Sequence, residues 1–145
     1  MVVLDTDFLI AYLRGKDNAY EVIQHLRKQQ KALRTTVFNA AELYKGSYSM
    51  NNVAKGLIKI KNLIEALKEL LPFNEDSIQE FAKISADLKK RGKIIGTMDE
   101  LIAGVCLAYN EVLYTHNIKH FENIEDLTVI DWYQIGQNLK QDKKS

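Results

Sequence analysis

Five residues in this chain have the type and placement to do chemistry. They are Asp5 and Asp7 in "VVLDTDFLI", Glu42 in "AAELYKG", Asp99 in "GTMDELIAG" and Asn117 in "YTHN". Four are carboxylates and one is a carboxamide. Carboxylates gathered in one cleft repel, and some take up protons unless a cation holds them. Hard oxygen donors with open positions suit Mg2+ or Mn2+. A metal held that way can bind a phosphate oxygen and lower the pKa of a bound water.

That chemistry requires a fold that brings the five together. Short β-like runs alternate with longer helical patterns. Strands are expected at 2–5, 33–36, 70–73, 112–115 and 128–130. Helices are expected at 6–14, 18–30, 39–49, 52–69, 76–90, 98–110 and 132–140. Strands separated by helices predict a parallel sheet covered on both faces. In such a sheet, ligands sit beyond the carboxyl ends of the strands. Asp5 ends the first strand, and Asp7 follows in the turn. Asn39 in "NAAE" reads as a helix cap that places Glu42 in the first turn after the second strand. Thr97 and Glu100 have the spacing of a capping box, which puts Asp99 in the first turn of its helix. Asn117 falls just past the 112–115 strand. The acids therefore start or end elements at one rim. Val53, Leu57, Ile60, Ile64, Leu67 and Leu71 form an apolar stripe on the 52–69 helix, and Pro72 follows as a stop.

Composition narrows the classes. With 145 residues, one domain over 1–140 is expected, followed by a charged, flexible tail at 141–145. The net charge of +1 means that nucleic-acid binding must come from a local basic patch. A single cysteine, Cys106, excludes an intrachain disulfide and fits a reducing compartment. The start lacks the basic flank and apolar core of a signal peptide, and no run approaches the roughly 18 apolar residues of a membrane span. A cytoplasmic protein is expected, with no membrane association.

Four stretches in order, "LDTDFLIAYL", "AAELYKG", "KKRGKIIGTMDELIAG" and "LYTHNIKHFENIEDLTVIDW", resemble the PIN-domain family, especially its VapC-type toxin ribonucleases. The resemblance implies an α/β fold, a three-layer α/β/α sandwich with a central, mainly parallel sheet of about five strands. It implies a Mg2+-dependent endoribonuclease, with Mn2+ as substitute, that is often dimeric and is neutralised by a VapB-like antitoxin. By position, Asp5, Glu42 and Asp99 match the family's central acids. Asp5 and Asp99 would bind the main metal, with Glu42 binding through water. Asn117 stands where many relatives carry a fourth acid, so the site has one charge fewer. Thr6, Asp7 and Thr115 would support the acids. Arg14, Lys45, Lys89, Lys90, Arg91 and Lys93 flank these motifs as candidate RNA phosphate contacts. Tyr12, Tyr44 and Tyr48 are candidates for stacking on bases.

Two other readings compete. D-x-D is also the entry motif of haloacid-dehalogenase-like phosphatases, with Asp5 as nucleophile, Asp7 as acid-base, and Thr36 and Asp99–Glu100 pressed into the remaining roles. A PIN module without catalysis, binding only RNA or protein, is the other. His116 and His120 are four apart, but no third zinc ligand is evident. His25 reads as a surface residue and Cys106 as a buried thiol.

Overall fold

The computed structural model describes residues 1–144. Five strands, β1 (Val2–Leu4), β2 (Leu33–Thr36), β3 (Glu69–Leu71), β4 (Val112–Tyr114) and β5 (Val129–Ile130), form one sheet. Their order is β3-β2-β1-β4-β5, and every pairing is parallel. The helices are α1 (Thr6–Arg14), α2 (Ala19–Lys28), α3 (Val37–Tyr48), α4 (Val53–Ala66), α5 (Glu75–Lys90), α6 (Thr97–Ala108), α7 (Ile118–Phe121) and α8 (Trp132–Asp142). Side chains on a strand alternate faces, and the central strand uses both. Val2 and Leu4 enter one core with Phe8, Val22, Leu26 and Trp132. Val3 enters a second core with Ile84, Leu88, Ile102 and Leu113. The expected three-layer sandwich follows. Gly104 lets α6 lie against α5, because a Cβ there would meet the Phe81 backbone at 2.9 Å.

The longest predicted helix is cut short. Residues 52–69 read as one helix, yet α4 stops at Ala66 and Leu67 is already extended. Lys68 N donates to Leu33 O at 2.8 Å, so pairing with β2 takes over from helix propensity. Leu67 and Leu71 are buried, but off the helix, and Pro72 follows a strand instead. The short helix α7 was not anticipated. Helix α8 runs to Asp142, into the segment expected to be tail, and Ser145 of that segment lies outside the described residues. Among the described residues, no helix is long and apolar enough to cross a membrane.

Candidate active site

Asp5 follows β1 directly and caps α1. Only 3% of it is exposed, and both carboxylate oxygens are engaged. Oδ1 accepts from Thr6 N at 2.8 Å and from Asn39 Nδ2 at 2.9 Å, and Oδ2 accepts from Thr115 Oγ1 at 2.7 Å. Asn39 Nδ2 also donates to Thr6 Oγ1 at 3.0 Å, and Thr6 Oγ1 donates to Glu42 Oε1 at 2.6 Å. A continuous chain of hydrogen bonds therefore links Asp5 to Glu42. Burial pushes the Asp5 carboxyl up to about 7, the charges of Asp7 and Asp99 push the same way, and hydrogen bonds from Thr115 and Thr6 oppose them.

Asn39 is the residue sequence reasoning misplaced. It was expected to cap α3. Thr36, the last residue of β2, is the cap instead, and its hydroxyl accepts from Phe38 N and Asn39 N. Asn39 closes a capping box from the third helical position, its Oδ1 accepting from Thr36 N at 3.3 Å and also from Thr36 Oγ1 at 2.7 Å. Strand therefore passes into helix without a loop, and Asn39, fully buried, is turned toward Asp5. Glu42 lies one turn further along the helix and not in its first turn. The signal is T-x-x-N, with Thr36 as the last residue of the LRTT strand.

The predicted capping box at Thr97 and Glu100 does not form. Gly96, at φ +98°, begins α6 one residue earlier and offers no side-chain cap. Asp99 still falls in the first turn. Its Oδ2 lies 2.7 Å from His120 Nδ1. The two histidines that invited a zinc reading turn to different partners, since His116 Nδ1 lies 3.0 Å from Asp131 Oδ1.

Asp7 is held by donors from two later segments. It accepts from His116 N at 2.8 Å and from Trp132 Nε1 at 3.2 Å, which ties α8 to the site. Burial raises its carboxyl, and these donors partly offset that. Asn117 is exposed, with no side-chain cap bond to α7. Arg14, Lys45, Lys89, Lys90 and Lys93 are exposed. Arg91 is engaged by Asp87 and by the Asn123 carbonyl, which holds the end of α5. Tyr12 stacks on Tyr20, Tyr44 packs on the core, and Tyr48 is exposed. His25 is partly buried and meets Gln29. Cys106 is buried, which pushes its thiol far up.

Among the described residues, no three His, Cys, Asp or Glu side chains form a ready-made metal cage. The donor set still fits a hard cation. Asp5 is a buried carboxylate beside two more acids, and no Lys or Arg among the described residues pairs with it, Asp7 or Glu42.

Fold and site together define a three-layer α/β/α protein with Asp5, and Glu42 linked to it by hydrogen bonds, beyond the carboxyl ends of its central strands. The PIN domain family model matches residues 2–127, and the chain belongs to that family. It is 34% identical to Ribonuclease VapC1 of Haemophilus influenzae (strain R2866) over 132 residues, 90% of this chain and 96% of that protein. It is 33% identical to Ribonuclease VapC1 of Rickettsia felis, over 89% of this chain and 94% of the relative. Among solved structures it resembles VapBC2 from Rickettsia felis bound to a promoter DNA fragment, with a TM-score of 0.84 and 26% identity over 91% of this chain and 99% of that one. It also resembles VapBC-1 from nontypeable Haemophilus influenzae, with a TM-score of 0.78 and 35% identity over 91% and 98%.

Proposed function

We propose that this chain is a metal-dependent endoribonuclease of the VapC type, the toxin of a toxin–antitoxin pair. The observation that carries the proposal is the buried Asp5 carboxylate, which is paired with no Lys or Arg among the described residues. It is linked to Glu42 through Asn39 and Thr6, and its pKa is raised by burial and, in smaller part, by the charge of Asp99. Asp5 and Asp99 would hold Mg2+, with Mn2+ as substitute, and Glu42 would bind through water. When bound, the ion lowers the pKa of its water and neutralises charge on the phosphoryl oxygens. Thr115, Asn39 and the Thr6 amide fix the Asp5 carboxylate. Glu42, held by Thr6, is placed to orient a water. The exposed Asn117 carboxamide offers an N–H to a phosphate oxygen. Attack by water needs no 2′-hydroxyl nucleophile, so 5′-phosphate and 3′-hydroxyl ends are expected.

The phosphatase alternative loses ground on two contacts. The Thr36 hydroxyl is consumed in capping α3, and Asp7 is held by His116 and Trp132. For the antitoxin we assign a groove of about 200 Å³ between α1, α3 and α4. Ile10, Leu13, Leu43, Met50 and Ile60 line it, and Glu42 and Arg14 bring it to the active site. Such a groove suits an amphipathic peptide. A homodimer and a cytoplasmic setting belong to the same reading, the latter supported by the single buried thiol.

Incubation with total RNA tests it. Cleavage is expected with Mg2+, none with a chelator, and a fall on the order of 10^3-fold for Asp99→Asn. Undiminished cleavage by Asp99→Asn, or a phosphoenzyme trapped on Asp5, would overturn the assignment. Asn39→Ala probes the support of Asp5. Loss of such a partner is expected to weaken metal affinity by about 10–100-fold, read by calorimetric titration with Mn2+. Unchanged affinity would make Asn39 only a helix-capping residue.

A further inference from the structure

Resting on the ribonuclease reading, we propose that His116 is a base-stacking residue whose imidazole takes a base of the RNA beside the carboxylate site. The ring is fixed before any ligand arrives. One side meets Tyr133, with centroids 4.5 Å apart and planes at 29°. Its neighbour Trp132 approaches edge-on at 6.2 Å, and Nδ1 lies against Asp131, which also accepts from Tyr133 N at 3.0 Å. Trp132 in turn is stacked on Phe8 at 4.8 Å and 6°, deep in the core. This aromatic column runs from the interior to the rim. Yet 51% of the His116 side chain remains open to solvent.

Its place in the chain matters as much as its rigidity. Thr115, on one side, holds Asp5 through its hydroxyl, and the His116 amide holds Asp7. Asn117, on the other side, is the exposed carboxamide of the site. A base laid on the open imidazole face therefore flanks the phosphate facing the acids. A ring already held in place loses little conformational freedom on binding. Of the tyrosines singled out from the sequence, Tyr12 is half-buried beside Tyr20, Tyr44 packs on the core, and Tyr48, though exposed, ends α3 at the end away from Asn39.

The test uses a short RNA that the wild-type chain cuts. 2-Aminopurine is placed in turn at each position flanking the cleavage site. Fluorescence is read on binding to the full chain carrying Asp99→Asn. Quenching is expected at one flanking position. Adding His116→Ala should abolish that quenching and weaken binding about tenfold, within the roughly 5- to 150-fold that base–aromatic stacking supports. His116→Phe should restore both, because it keeps the π face without the imidazole nitrogens. Quenching that survives His116→Ala, or no rescue by His116→Phe, overturns the stacking role while leaving the nuclease intact. If the wild-type chain cuts no RNA, the reading beneath it falls as well.

Discussion

Asp5→Asn is expected to abolish RNA cleavage, by on the order of 10^3-fold or more, while making the metal-free chain more stable at neutral pH. Asp5 carries a carboxyl that would ionise at 3.8 in the unfolded chain and at about 7 in the fold. Between those values the folded state holds a proton that the unfolded state has released. Stability is therefore full below about pH 4 and falls as pH rises toward 7. The rise corresponds to roughly 4 kcal/mol at most, spread over that window. Asparagine keeps the shape and the acceptor used by Thr6 and Asn39, and its N–H can donate to Thr115 Oγ1. The variant should melt higher than wild type at pH 8 without metal, and the gap should close at pH 4. Added Mg2+ should stabilise wild type only. A variant that melts lower at pH 8, or that still cuts RNA, contradicts the role given to Asp5.

Arg34→Ala is expected to be strongly destabilising although it lies outside the active site, at about 3–5 kcal/mol by urea unfolding. Arg34 lies on β2 and is 9% exposed. Its Nη1 donates to Glu111 at 3.3 Å and its Nε to Glu69 at 2.6 Å. Glu69 is half-exposed, so solvent screens that pair and it contributes little. Glu111 is different. It is 5% exposed, its Oε2 has no partner, and burial raises its carboxyl while Arg34 pulls it down. Removing the guanidinium strands that charge in the interior. The paired change Arg34→Met with Glu111→Leu should therefore cost less than Arg34→Ala alone. Cleavage per folded molecule should not change, because this cluster sits at the amino ends of the strands. A loss under about 1 kcal/mol would mean that water already reaches Glu111.

Local patterns were readable where local forces decide. The α1 boundaries follow from an Asp cap, apolar spacing and Gly15 at φ +63°, and structure and expectation coincide at 6–14. The five parallel strands were legible for the same reason, as short β-like runs between helices. Reading failed where a distant segment decides. Nothing near residue 67 announces that Leu33 will claim Lys68 and end the helix. Asp5, Glu42 and Asp99 stood out by type and by their place at strand and helix ends. Thr115 and Thr6 were named beside them through the resemblance, and they donate to Asp5 and Glu42, but Asn39 did not stand out, because it reaches Asp5 across 34 positions. The pairing of His120 with Asp99 and of His116 with Tyr133 has no counterpart in spacing along the chain.

The strand made first is the one that ends up in the middle of the sheet. During synthesis β1 leaves the ribosome early, but β4, its neighbour on one side, and Thr115, which secures Asp5, follow more than a hundred residues later. A nascent chain that has not reached Asp99 lacks one of the three acids altogether. On the ribonuclease reading proposed above, the growing polypeptide would lack a complete carboxylate site until Asp99 and Thr115 have emerged.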